Sequence, residues 1–329
     1  MNKTQFKPLV AVIATGGTIA SKRGEDGAST PTLNGGDLLA TLAGRDASLR
    51  AIDLMAKDSS SLTLIDMQAI SDAVQVQLDD PQISGIVVLH GTDSMEETAL
   101  LVHLQRHISK PVIFTGAQFT ADHPDADGPA NLATAIRLAA DPASRDKGVV
   151  IAFGGRIVPA WGAFKYSSDH ADAFRSVRAL KTPDGIHLPA PVAGKRIDIV
   201  AIHPGCDDLH IQASIQAGTD GIILAALGSG NANAAIVEAV KQCSKHNIPV
   251  VVSSRVPTGV LVAGYGGGGG GFDLVTAGAI HSQTLRPGQA RILLASMIAN
   301  TCPKELIVKA FDDEDFRLGT QSQKKSLET

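Results

Sequence analysis

Small hydroxyl-bearing and amide-bearing residues collect at five places in the chain: Thr15-Gly-Gly-Thr18, Asp58-Ser-Ser-Ser61, His90-Gly-Thr-Asp93, Thr115-Gly-Ala-Gln118 and Gly228-Ser-Gly-Asn231. Few of these positions carry charge. Such a set suits a pocket for a small polar molecule, read by hydroxyls and backbone N–H groups. Four of the five follow an apolar run directly, and the other precedes a helical pattern. In open α/β sheets ligands bind outside the carboxyl ends of the strands, where such turns lie.

The elements that would carry these turns are legible as alternating patterns. Leu9–Ala14, Gly85–His90, Pro111–Thr115 and Gly148–Phe153 are short runs of Val, Ile, Leu and Ala without polar alternation, as expected of parallel strands buried on both faces. Between them, Asp66–Leu78 places Ile70, Val74 and Leu78 on one helical face, and Ser94–Ile108 and Pro129–Ala140 also read as helices, the last with Pro in its first turn. A second set follows: strands Ile197–Ile202, Gly221–Leu227 and Pro249–Ser253, helices Ala232–Lys245 and Gln289–Ala299. The stretch 181–196 is rich in Pro, Gly and other turn formers and reads as a linker. The expected fold is therefore α/β: two α/β domains, each with a mainly parallel sheet flanked by helices. The first spans residues 1–190 and the second 197–329, with the linker at 181–196. The charged tail is expected to fray over 319–329.

Composition supports this and excludes other classes. With 329 residues the chain is comfortable as two domains of roughly 100–200 residues each. It is 44% hydrophobic but only 4% aromatic, so the cores must be aliphatic. A net charge of -4 leaves no basic footprint for nucleic acid. No apolar run approaches the roughly 18–20 residues of a membrane span. The start of the chain lacks the pattern of a secretory signal, and the 3 cysteines, Cys206, Cys243 and Cys302, form neither a disulfide framework nor a metal-binding pair. The expectation is a cytoplasmic protein without a metal or other cofactor.

Ala14-Thr-Gly-Gly-Thr-Ile-Ala20 and His90-Gly-Thr-Asp-Ser-Met-Glu-Glu-Thr98 resemble the two signatures of bacterial-type L-asparaginases and the related glutaminase-asparaginases. Ala126-Asp-Gly-Pro-Ala-Asn-Leu132, Lys165 and Ser253-Ser-Arg-Val-Pro-Thr-Gly259 extend the resemblance, in the family's order, over roughly residues 8–310. It implies an amidohydrolase that converts L-asparagine to L-aspartate and ammonia, with L-glutamine as a second candidate substrate. Acyl transfer of this kind needs a nucleophile, a proton acceptor and donors for the developing oxyanion. The resemblance carries the nucleophile onto Thr15, on a flexible turn, and a second catalytic set onto Thr92, Asp93 and Lys165. To act as the base a Lys must be neutral, which burial favours and a neighbouring carboxylate disfavours. A formal base and a proton-relay member are both open roles for Lys165. Substrate contacts fall on Ser59 with its neighbour Ser60, on Asp93 for the α-ammonium, on the backbone of Ala117, and on Asn231, which in the family completes the site across a subunit interface. The resemblance thus implies a homotetramer or a dimer of intimate dimers.

Three departures from the family pattern stand out. Ser21–Leu33 contains no Tyr, and Thr30 and Thr32 are the hydroxyls nearest to replacing one; Ser60 stands where many secreted members have Gln; and Gly266 lies nearest the place of a Glu contributed by the neighbouring subunit. All three touch nucleophile activation or the α-ammonium pocket, so weak affinity for L-asparagine is expected. They also favour a second reading, a non-enzymatic small amino-acid binding or sensor protein on the asparaginase fold.

Other motifs have plainer readings. Residues 15–20 lack the GxGxxG dinucleotide fingerprint. His103 and His107 share a helical spacing but lack the intervening Glu of a metalloprotease helix, and read as a solvated face. Asp122–Gly128 lacks calcium-loop spacing, and Asp127 reads as an N-cap before Pro129. Gly266–Gly271 contains no Lys, Ser or Thr, and reads as a flexible excursion or a tight passage.

Overall fold

The computed structural model describes residues 7–23, 29–31, 36, 47–177 and 187–312. The chain forms two compact units, Met1–Ser176 and Val177–Thr329. The turn-rich stretch at 181–196 falls partly on residues 178–186, and the tail at 319–329 falls wholly, outside the described residues.

In the first unit the described elements run β1 (Leu9–Ala14), β2 (Ser21–Arg23), β3 (Ser29–Pro31), β4 (Ser48–Asp53), α1 (Leu64–Asp79), β5 (Ile83–Leu89), α2 (Met95–Gln105), β6 (Val112–Thr115), α3 (Gly128–Ala140), β7 (Val149–Phe153), β8 (Arg156–Pro159), β9 (Ala163–Lys165) and β10 (Phe174–Ser176). The main sheet has the order β4-β1-β5-β6-β7-β8. Its strands are parallel except β8, which runs antiparallel to β7. β9 and β10 pair antiparallel, as do β2 and β3.

Residues of successive parity point to opposite faces of this sheet, and both faces are apolar. Ala11, Ile13, Ile86 and Val88 pack with Ile70, Val74 and Leu78 of α1 and with Met95, Ala99 and Val102 of α2. Val10, Val12, Val87 and Leu89 pack on the other side with Leu132, Ala135 and Ala139 of α3. This two-sided burial is why the strands carry no polar alternation. The edge strand β4, with Arg50 and Asp53 in its sequence, is half-buried at best and escapes such a pattern.

The second unit contains β11 (Ile197–Ala201), α4 (Leu209–Gln216), β12 (Gly221–Ala226), α5 (Ala234–Lys245), β13 (Val250–Ser254), α6 (Gly271–Thr276), β14 (Ile280–His281), α7 (Pro287–Ala299) and α8 (Lys304–Phe311). Its sheet, β11-β12-β13-β14, is parallel throughout. Val200, Ile222, Leu224 and Val252 form its core with Ile236 and Val240 of α5.

Two local expectations need correction. Helix α2 stops at Gln105, and Arg106 is already extended at φ -113 and ψ 142. His107 therefore lies beyond the helix and shares no helical face with His103. The glycine run divides: a Cβ at Gly267 or Gly268 would meet nothing within 4 Å, whereas one at Gly270 would lie 1.9 Å from the Tyr265 carbonyl oxygen, so only its second half is a tight passage. The Asp273 carboxylate also accepts the N–H groups of Gly268 and Gly270, at 2.8 and 3.0 Å.

Candidate active site

Because β1, β5 and β6 run parallel, the segments that leave their carboxyl ends emerge side by side. Thr15 follows β1 and is 2% exposed. Its N–H donates to the Leu89 carbonyl at 3.1 Å, and its own carbonyl accepts the Lys57 N–H at 3.1 Å. Its hydroxyl donates to the same Leu89 carbonyl at 2.8 Å. Thr15 is thus fixed between β5 and the segment before α1, not carried on a flexible turn. The turn beyond it packs on the next segment: a Cβ at Gly17 (φ +83) would lie 2.6 Å from Gly91 Cα. Only glycine fits this conformation and this approach.

Ser59 sits in a single helical turn, Ser59–Ser61, and is buried, while Ser60 beside it is exposed. Two anchors hold this segment. On one side, Thr63 and Asp66 form a capping box at the start of α1, and Asp66 also accepts Lys57 Nζ at 2.6 Å. The Lys57 ammonium and then the Thr63 N–H hold the Asp66 carboxyl down to about 2. On the other side, Ser59 Oγ accepts the Asp93 N–H at 3.1 Å and its carbonyl accepts Ser94 Oγ–H at 2.7 Å. With its oxygen used as an acceptor, Ser59 keeps its proton to donate elsewhere.

Thr92 and Asp93 precede α2, and Lys165 ends β9. Lys165 Nζ donates to Thr92 Oγ1 at 2.8 Å and to Asp93 Oδ1 at 2.7 Å. The Asp93 side chain is 58% exposed and that of Lys165 only 20%, so the carboxylate stands at the open side of the cluster. His90, two residues before Thr92, is wholly buried; desolvation pushes its imidazole down to about 4, so the ring is neutral. Its Nδ1 lies 2.7 Å from the Gly91 carbonyl, which assigns the proton to that nitrogen.

Ala117 is buried in the turn after β6. The expectation that Asp127 caps α3 through its side chain is not met, although Asp127 occupies the cap position. Its carboxylate turns instead to the Ala117 turn and accepts the N–H groups of Gln118 and Phe119 at 3.0 Å. Asn131 completes the clamp: its Nδ2 donates to the Gly116 carbonyl at 3.0 Å and to Asp127 at 2.9 Å, while its Oδ1 accepts the Gly154 N–H at 3.0 Å. Gln118 Nε2 donates to the Ser168 carbonyl. Asp127 and Asn131 thus brace the Ala117 turn, largely through backbone groups that no sequence pattern marks.

The structure brings Thr15, Ser59, Thr92, Asp93, Ala117 and Lys165 to one end of the first unit's sheet. Asn231 belongs to the second unit, in the turn after β12. It pairs with Leu227 through both backbone groups, at 2.8 and 2.9 Å, and its Oδ1 accepts the Gly271 N–H at 3.1 Å. Thr32 lies outside the described residues, and so does the side chain of Thr30. Among the described residues, no group of three or more His, Cys, Asp or Glu could hold a metal ion. Nor is any described helix long and apolar enough to cross a membrane.

Residues 9–184 match the family described as asparaginase, N-terminal, and residues 196–311 match the glutaminase/asparaginase C-terminal domain. A probable periplasmic L-asparaginase of Haemophilus influenzae is 30% identical, with 93% of this chain and 93% of that protein covered. L-asparaginase 2 of Escherichia coli is 29% identical, again with 93% of each covered. The crystal structure of a probable cytoplasmic L-asparaginase from Campylobacter jejuni matches with a TM-score of 0.84 and 27% identity, covering 93% of this chain and 99% of the other. With both domain families matched in order and its hydroxyl-rich turns gathered at the ends of a parallel sheet, the chain belongs to the bacterial-type L-asparaginase family.

Proposed function

We propose that this protein hydrolyses the side-chain amide of L-asparagine to give L-aspartate and ammonia, with L-glutamine as a second substrate. The observation that carries the reading is Lys165 Nζ spanning Thr92 Oγ1 and Asp93 Oδ1, on the segment against which the Thr15 turn packs. Thr15 Oγ attacks the amide carbon, forming a C–O bond as its proton passes through the Thr92 hydroxyl to Lys165 Nζ in its neutral amine form, which becomes the ammonium. Collapse of the tetrahedral adduct breaks the C–N bond, and the returned proton leaves with ammonia. Water then attacks the threonyl ester by the same route, releasing aspartate and restoring the hydroxyl. Ser59 donates to the α-carboxylate, Asp93 accepts the α-ammonium and the backbone of Ala117 orients the amide. Ser60, exposed beside Ser59, borders the same pocket.

Asn231 reaches the site from a second copy, so the working form is a homotetramer or a dimer of intimate dimers. Light scattering on the purified protein tests this, and a monomer with full activity contradicts it. Cys206, Cys243 and Cys302 are all unpaired thiols, which suits a reducing compartment and supports the cytoplasm as its location.

A coupled ammonia assay on L-asparagine, L-glutamine, D-asparagine and succinamic acid tests the activity. Turnover of L-asparagine with little of D-asparagine or succinamic acid is expected. One observation favours the sensor alternative: the Thr15 hydroxyl spends its proton on the Leu89 carbonyl. Binding of L-asparagine without ammonia release would establish that alternative.

A further inference from the structure

The Thr92–Asp93–Lys165 cluster requires its lysine to be held from two ends, and Thr92 and Asp93 hold only its Nζ. Lys165 lies in a three-residue strand whose partner is equally short. Such a hairpin gives little purchase of its own. The second hold comes from Glu96, in the first turn of α2. Glu96 Oε1 accepts the backbone N–H of Lys165 at 3.4 Å, and its Oε2 is shut off from solvent. Thr92, Asp93 and Glu96 therefore take the side-chain and main-chain donors of one lysine from within five residues of chain.

We propose that Glu96 is a positioning residue that fixes the Lys165 backbone against the start of α2, so that Nζ reaches Thr92 and Asp93 together. The proposal rests on the roles assigned above to those three residues.

Burial pushes the Glu96 carboxyl up to about 8, and its neighbour Glu97 pushes the same way, while the Lys165 N–H and ammonium oppose. At neutral pH Glu96 is thus a neutral acceptor and adds no second negative charge beside Asp93. Of the other charged groups on the packed elements, Asp66 of α1 pairs with Lys57 and Arg175 of β10 pairs with Asp172. Asp72 of α1 pairs with Arg106, and β7 presents only Val, Ile, Ala and Phe. An amide should replace this acid without loss, whereas an ionised Glu96 would hold Lys165 as its ammonium.

Two variants and two readouts test this. Glu96→Leu removes the acceptor, and kcat on L-asparagine should fall about tenfold or more, the factor that a modest loss of transition-state stabilisation produces. KM should stay within about threefold, since no direct substrate contact is lost. Glu96→Gln should restore kcat to within about threefold of wild type at pH 7, and exceed wild type at pH 9, where the acid ionises. Acetylation of Lys165 by acetic anhydride, followed by peptide mass spectrometry, reads the clamp without activity. Labelling should be faster in Glu96→Leu than in wild type or Glu96→Gln. Unchanged kcat in a folded Glu96→Leu, a Gln variant as impaired as the Leu variant, or a Gln pH profile superposing on wild type would each overturn the role. If wild type releases no ammonia, the functional reading fails, and equal Lys165 labelling in all three proteins would overturn the clamp by itself. If Glu96→Leu does not fold, the pH comparison of Glu96→Gln with wild type decides.

Discussion

One carbonyl, that of Leu89, accepts both the N–H and the hydroxyl of Thr15, at 3.1 and 2.8 Å. The resting hydroxyl is therefore held at a defined place on β5, and must leave this acceptor before it can attack. Removing it costs little stability, because the Leu89 carbonyl keeps its bond from the Thr15 N–H. Thr15→Ala should abolish ammonia release while lowering unfolding free energy by only about 1 kcal/mol. Activity assays beside urea melts check both halves. Retention of more than about a tenth of the rate would contradict a nucleophile at this position.

The Lys165 contacts predict a different pattern. Thr92→Val preserves shape and leaves Lys165 its bond to Asp93, and Lys165→Met preserves much of the side-chain volume. Each should reduce kcat by roughly 10²–10⁴, the range for a lost proton-transfer group, with the circular dichroism spectrum unchanged. Near-normal turnover by either variant would leave the cluster without a chemical role.

His90 supplies a pH-dependent stability. An unfolded histidine titrates near about 6.5. In the folded protein desolvation pushes His90 down to about 4, so between these values the unfolded chain holds a proton that the native one does not. The His90 contribution to native stability therefore falls as pH drops through this window, by up to about 3 kcal/mol. Asp66 acts later, because a carboxyl held down to about 2 loses its contribution only as pH falls below the ordinary carboxylate range. Glu96, whose carboxyl burial pushes up to about 8, gains stability over the same window, so the two groups offset in wild type. His90→Gln removes only the loss, and its urea midpoint should therefore rise relative to that of wild type between pH 7 and pH 4.5. Equal differences in the two proteins would mean that His90 is not the group responsible.

The Asp127 clamp links stability to substrate orientation. Asp127→Ala leaves the Gln118 and Phe119 N–H groups without their carboxylate acceptor, at a cost of about 1–3 kcal/mol. The loosened turn carries Ala117, so the KM for L-asparagine should rise in the same variant. A stability loss without any kinetic change would separate this turn from substrate binding.

Much of this was legible in the sequence for a physical reason. Strands such as Leu9–Ala14 are buried on both faces, so they appear as unbroken aliphatic runs whose ends are sharp. The polar residues just past those ends, Thr15 and Thr92, stand out by contrast. Lys165 did not stand out: its strand is three residues long, and only the family order singled it out. Ser48–Asp53 was missed because an edge strand carries charges that break the apolar run. Leu209–Gln216 was missed because a short helix that begins on a largely exposed Leu209 has little apolar face. The contacts of Asp127 and Glu96 were invisible because each acts on backbone N–H groups, which every residue type but proline presents alike. The end of α2 before His107 likewise depends on the chain turning extended at Arg106, not on the two histidines.

The central claim is that Thr15 and the Thr92–Asp93–Lys165 cluster act on a single carbonyl carbon. A crystal of the protein soaked with L-aspartate, the expected product, measures this directly. The account predicts the side-chain carboxylate within about 3–3.5 Å of both Thr15 Oγ1 and Thr92 Oγ1, the reach of a near-attack arrangement, with the α-carboxylate on Ser59. Aspartate bound at one hydroxyl and out of reach of the other would contradict it.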